Sequence, residues 1–164
     1  MGTNIFRAVN STLIYLERGD EYLMLHRTKK ENDCNRDKWI GIGGKFEEGE
    51  SPEECICRET LEETGLTLTD YRYRGVITFV SDIWEGEYMH LFTATGWTGA
   101  LRECDEGVLE WLHKDKLAAL PQWTGDKLFL DLIHEKDTPF FSMKLQYAGD
   151  TLVYAALNGK ELAV

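Results

Sequence analysis

Residues 43–66 read GGKFEEGESPEECICRETLEETGL. The first part is a glycine-rich, acidic loop; the second has every mark of a helix. Ser51 can cap, Pro52 suits the first helical position, and Glu54 completes a capping box. A helix is predicted from Pro52 to about Thr64, ended by Gly65. Along it Glu59, Glu62 and Glu63 stand at i, i+3 and i+4 and so share one face. Three carboxylates there repel, and a divalent cation would reverse that cost. Mg²⁺ is hard, takes oxygen ligands, and often combines a few carboxylates with phosphate oxygens and water. Arg58, beside Glu59, can hold another carboxylate in a bidentate pair, and Glu50 in the preceding loop is the natural partner. The acids alone equally fit a solvated Glu-rich helix, since Glu is a good helix former. The glycine loop and the arginine argue for a site.

The charge pattern on either side supports this. From His26 to Lys45 there are six basic and three acidic residues, a local balance of +3. From Phe46 to Asp70 there are nine acids and one base, a balance of −8. Such a junction supplies carboxylates for a cation and cations for phosphate oxygens.

Working outward, 5–27 reads as a hairpin turning at Glu17–Glu21, followed by a polar loop over 28–38. Strands are predicted near 71–80, 88–96 and 109–112, a second helix over 126–136, and a closing hairpin of 140–147 and 151–157 about Ala148-Gly149-Asp150. Strands and helices alternate irregularly, which implies α/β architecture with helices on the faces of a mixed sheet.

The segment resembles the Nudix box, the loop–helix signature of the Nudix hydrolases. Gly44, Glu50, Arg58, Glu59, Glu62, Glu63, Gly65 and Leu66 meet the pattern, with Thr60 where a large aliphatic residue is usual. The resemblance implies the Nudix fold, an α/β/α sandwich around a mixed β-sheet, as a single domain over 1–164 with its box at 44–66. It implies hydrolysis of a diphosphate linkage with Mg²⁺, or Mn²⁺ in its place. Glu59 and Glu63 would be the main metal ligands, supported by Glu62 and the Gly43 carbonyl. Glu50 would pair with Arg58 to fix the loop, and Lys45 would face phosphate. Members differ over the general base, some using a helix Glu and others a Glu on a distant loop. Glu106, in the 102–107 loop, is the candidate for the second arrangement, as a ligand or a base; an exposed turn acid is the competing reading.

Nearly the whole chain is similar to the MutT-like branch that removes oxidised purine triphosphates such as 8-oxo-dGTP. Trp39-Ile40-Gly41-Ile42-Gly43-Gly44-Lys45 resembles that branch's Trp-Asn-Gly-Phe-Gly-Gly-Lys, which puts Ile42 among the substrate contacts. Leu120-Pro121-Gln122-Trp123-Thr124-Gly125-Asp126 resembles its base-binding loop, so Trp123 would stack on the purine and Asp126 would read its edge. Ile40 replaces an Asn and Gly125 an Asp, departures that imply shifted base selectivity. Arg27 is a candidate phosphate contact. A Nudix hydrolase of another nucleoside diphosphate derivative, such as ADP-ribose, is the first alternative. That branch usually carries a proline well after the box, and none lies between Pro52 and Pro121. A non-catalytic nucleotide sensor is the second, but sensors usually lose box acids that are all present here.

The 164 residues carry a net charge of −11, which argues against a grip on polymeric nucleic acid. No apolar run approaches the ~20 residues of a bilayer span. The N-terminus lacks a secretion-signal layout, and Phe6 stands where myristoylation wants Ser or Thr. A cytoplasmic monomer or homodimer is expected, with a small nucleotide as partner. Cys34, Cys55, Cys57 and Cys104 lack zinc-site spacing and are expected to be free thiols. The four histidines show no ligand spacing either.

Overall fold

A computed structural model describes residues 8–164. The strands are β1 (Ala8–Arg18), β2 (Glu21–Arg27), β3 (Trp39–Ile40), β4 (Thr67–Ser81), β5 (Gly86–Thr98), β6 (Gly107–His113), β7 (Phe141–Ala148), β8 (Thr151–Leu157) and β9 (Lys160–Leu162). The helices are α1 (Pro52–Thr64) and α2 (Asp126–His134), with a 3₁₀ segment over Lys114–Ala119. The sheet runs β3-β2-β1-β5-β4-β7-β8-β9, with β6 pairing β2. It is mixed: β1 with β5 and β4 with β7 are parallel, and the other pairs antiparallel. No helix among the described residues is long and apolar enough to cross a membrane.

Both faces of this sheet are covered, and β1 shows how. Its side chains alternate, so Leu13 and Tyr15 enter one core while Ile14 and Leu16 enter the other. The first core holds α2 through Phe129, Leu130 and Ile133; the second holds α1 through Ile56. A strand buried on both sides has apolar residues in both phases, which is why its sequence alternates poorly. The expected α/β/α sandwich is what forms. Buried Arg74 ties α2 to the sheet, donating to the carbonyls of Ile133 (3.2 Å) and Glu135 (2.8 Å) at the helix end. Those carbonyls lack intrahelical partners, and a cation suits that end of the helix dipole.

The 5–27 hairpin needs correction. Residues 5–7 lie outside the described residues. The turn is present, but β1 and β2 pair only at Glu17↔Tyr22 and Arg18↔Glu21. They then diverge, β1 to lie beside β5 and β2 to pair with β6 along its whole length. Two strands apolar on both faces cannot satisfy each other alone; each needs neighbours that carry cover for both sides.

Candidate active site

The α1 start forms as its sequence dictates. Ser51 Oγ accepts from Glu54 N (3.1 Å), and the Glu54 carboxylate accepts from Ser51 N (3.2 Å). Gly65 ends the helix with φ +80°, a left-handed conformation that favours glycine. Arg58 then gathers the loop. Its Nε and Nη2 make a fork to Glu50 (2.7 and 2.8 Å), Nη2 also reaches the Lys45 carbonyl (3.1 Å), and Nη1 reaches Glu59 (2.8 Å). The fork holds the Glu50 carboxyl down to about 2, and the same partners raise Arg58.

The loop lies close against both β1 and α1. A Cβ on Gly43 would stand 1.8 Å from the Thr12 carbonyl oxygen, and one on Gly44 would stand 2.5 Å from the Glu59 carboxyl. Glycine is required here by close approach, not by unusual backbone angles. Gly43 N donates to Glu63 Oε2 (3.1 Å).

Above this loop opens a cleft of about 510 Å³. Glu59, Glu63 and Glu106 line it together with Arg27, Lys30 and Lys45, and Lys30 pairs with Glu106 (2.7 Å). Glu106 belongs to the loop before β6, which lies against α1 through Arg102 and shares its core through Cys104, so the distant-loop acid is brought to the helix acids. Burial raises Glu63 most, helped by its hydrogen bond to Glu106. Burial also acts upward on Glu106, but the bond to Glu63 and the cations Lys30 and Arg27 outweigh it and bring it down. Burial raises Glu59 as well, against the pull of Arg58.

Arg27 is inside the cleft, but its guanidinium is paired to Asp33 (2.7 Å) and to Glu106. Lys45 pairs with Glu85 (3.0 Å) in an exposed ion pair, which a phosphate can readily displace. Glu62 does not line the cleft; 58% exposed, it lies against Arg58. Among the described residues no three acids, thiols or imidazoles already surround one centre. The donors are nevertheless right in kind for a hard cation: Glu59 in a cradle that a Gly44 Cβ would fill, in one cleft with the carboxyls of Glu63 and Glu106.

The cleft leads into a smaller cavity of about 60 Å³ on the α2 side of the sheet. Trp123 and Asp126 line it, with Phe79, Met89, Leu145 and Tyr147. Trp123 is 6% exposed, packs edge-on to Phe79 and Tyr147, and donates from Nε1 to Asn35 Oδ1 (2.8 Å). Lys38 Nζ lies 4.5 Å from its ring centroid. Trp123 is thus both core and cavity wall. Asp126 is raised to about 7 by burial, opposed by Lys38.

Ile42 needs correction as a substrate contact. Reciprocal backbone bonds to Ile14 (2.7 and 2.9 Å) fix it in the α1-side core, where it is fully buried. Ile40, not Ile42, lines both cavities. Asn35, Lys30 and Glu87 line the site and are not predicted by any sequence motif. Only Glu87 leaves a trace there, as an acid in phase with the inward residues Met89 and Leu91 of β5. The four cysteines are free, as expected.

The chain matches the NUDIX domain family over residues 7–133. It is 37% identical over 109 residues to an oxidized purine nucleoside triphosphate hydrolase of Danio rerio, covering 65% of this chain and 69% of that one. It is 33% identical over 125 residues to the uncharacterized Nudix hydrolase YvcI of Bacillus subtilis, covering 72% and 74%. Among solved structures, the MutT protein of Bacillus halodurans superposes with TM-score 0.80 at 27% identity, covering 93% of this chain and 99% of that one.

Proposed function

The chain belongs to the Nudix family of hydrolases, which act on phosphoric anhydrides, and from that premise we propose that it is a Mg²⁺-dependent pyrophosphohydrolase of purine nucleoside triphosphates, oxidised purines foremost. The observation that carries this is the inner cavity ending in Trp123 and Asp126 and opening onto the acid-lined cleft. A purine seated inside would leave its phosphates over Gly43, Gly44 and the α1 acids. To stack on Trp123 it would displace the Lys38 ammonium from the indole face. A buried carboxyl against the base edge gives sharp discrimination, because a wrong edge leaves it unpaired. The Danio rerio relative, named for oxidized purine nucleoside triphosphates, supports the substrate class.

Glu59, Glu63 and Glu106 would hold the divalent cation. When bound, the cation neutralises phosphate charge and acidifies attacking water. Glu62, braced on Arg58, would tune that set from outside the cleft. Water attacks phosphorus, the α–β anhydride bond breaks, and its bridging oxygen leaves with its electron pair. The water proton passes to a carboxylate, Glu106 or a helix Glu, giving nucleoside monophosphate and pyrophosphate. Lys45 would leave Glu85 for a phosphate oxygen, and Arg27 would hold Glu106 in position.

The test is pyrophosphate and phosphate release from 8-oxo-dGTP, the common dNTPs and NTPs, and ADP-ribose, with Mg²⁺, comparing wild type with Glu63→Gln. Pyrophosphate from a purine triphosphate, with the variant down at least ~100-fold, is the expected result. Turnover of ADP-ribose alone would discard the triphosphate assignment. Nucleotide binding without turnover would make the protein a sensor.

A further inference from the structure

Glu87 on β5 is half-buried, with its backbone between Val9 of β1 and Phe79 of β4. It is the acid whose side chain lines both the inner cavity and the outer cleft. Oε2 accepts from Ser11 Oγ at 2.9 Å. Oε1 takes no hydrogen bond from the described residues, and no cation pairs with the carboxylate directly. One carboxylate oxygen is thus engaged by the protein, and the other is free to accept a hydrogen bond from a bound molecule.

Its position along the site is ordered by its neighbours. Lys45 and its partner Glu85 line the outer cleft but not the inner cavity. Trp123 and Asp126 line the inner cavity but not the outer cleft. Ser11, its hydrogen-bond partner, is bridged through backbone to Lys45. From inside outward the order is therefore Asp126 with Trp123, then Glu87, then Lys45. A nucleotide is built in the same order: base, sugar, phosphate.

We infer that Glu87 is a specificity-determining residue that accepts a hydrogen bond from a sugar hydroxyl of the bound nucleotide. The inference rests on the nucleotide orientation proposed above and adds sugar recognition to it. A hydroxyl donating to a carboxylate is among the stronger neutral-to-charged hydrogen bonds, and an acid facing ribose hydroxyls is a recurrent solution in dinucleotide-binding folds. Ser11 holds one oxygen and leaves the other for substrate.

The experiment compares kcat/KM for each of the four common bases carried as NTP, dNTP and 2′,3′-dideoxy NTP, in wild type, Glu87→Gln and Glu87→Met. Wild type should lose about 10- to 100-fold when the contacted hydroxyl is removed, the worth of a hydrogen bond to a charged group. Which step of the series shows the loss identifies the hydroxyl. In Glu87→Met the loss should shrink to a few-fold while the ranking of bases is unchanged, and Glu87→Gln, isosteric and still an acceptor, should fall between. An unchanged sugar ratio in Glu87→Met overturns the inference, as does a changed base ranking with the sugar ratio intact, which would make Glu87 a base contact. If wild type hydrolyses no triphosphate, the proposed function fails on its own, and calorimetry without metal still tests Glu87. GMP, dGMP and dideoxy-GMP should then bind wild type with different affinities and Glu87→Met alike; equal binding to wild type overturns it.

Discussion

Replacing Asp126 by Asn measures how strongly the closed end of the inner cavity opposes charge. Burial raises this carboxyl from 3.8 to about 7, against a smaller pull from Lys38. The native state therefore keeps a proton that the unfolded chain has already released. Linkage then makes native stability fall as pH rises from about 4 to about 7, after which both states are ionised and the penalty is constant. A tenfold difference in proton affinity between the two states is worth about 1.4 kcal/mol, so Asp126 costs the native state about 2 kcal/mol at pH 5 and about 4 kcal/mol at pH 8. Asn has the same shape and no such dependence. The unfolding free energy of Asp126→Asn minus that of wild type, from urea titrations, should therefore rise by about 2–3 kcal/mol between pH 5 and pH 8. Glu63 and Glu106 also titrate abnormally, but they are present in both proteins and drop out of the difference. Tyr15 and Tyr147, which feel Asp126, are raised by their own burial and stay neutral throughout. A difference that is flat with pH would refute the argument and mean that water reaches the carboxyl freely.

Four further substitutions test the loop and helix. Gly44→Ala, whose methyl meets the Glu59 carboxyl, should keep the fold and lose most activity, whereas Gly43→Ala, driven into the Thr12 backbone, should lose about 3 kcal/mol or more; melting and activity measured together separate the two. Thr60 is fully buried with its hydroxyl unpartnered, so Thr60→Val should raise stability by about 1 kcal/mol in denaturant titration, with activity unchanged. Arg58→Lys keeps the charge but cannot make the fork to Glu50, so it should cost about 1–3 kcal/mol and speed amide exchange over residues 43–50.

The parts of the fold legible in the sequence are those specified locally. The Ser51–Glu54 capping box is local to the start of α1, and Glu59, Glu62 and Glu63 lie within about one turn, so pattern alone places them. β8 is legible to its observed ends because Gly149 and the alternation around it leave one register. What is not legible depends on distant partners. The divergence of β1 from β2 is decided by β5 and β6, which follow α1 in the chain. β9 is three residues long and exists by pairing β8. Ile40 and Ile42 look equivalent in sequence, and only the bridge from Ile42 to Ile14 assigns one to the cavity and the other to the core. The hold of Asn35 on Trp123 spans 88 residues and leaves no local signal.

The two functional regions occupy opposite faces of one sheet. The acids of α1 stand on the face whose core includes Ile14, Ile42 and Ile56, and the inner cavity on the face packed by Phe129 and Ile133. They meet at a rim formed by residues that line both cavities, among them Asn35, Ile40, Glu87 and Met89. Substitutions in the inner cavity should therefore change which base is accepted with little effect on the cation-binding acids, because different cores support the two sets. The rim is where that independence ends. Glu87 reaches both cavities and is hydrogen-bonded to Ser11, which is bridged to Lys45, so a change there touches sugar recognition and the phosphate lysine at once. For that reason Glu87→Gln, which preserves shape and the Ser11 contact, should raise KM more than it lowers kcat, while the bulkier disturbance of Glu87→Lys, which adds a cation beside Lys45, should lower kcat as well; steady-state kinetics on one triphosphate distinguishes them, and equal effects on kcat in both variants would mean that the rim does not couple the two faces.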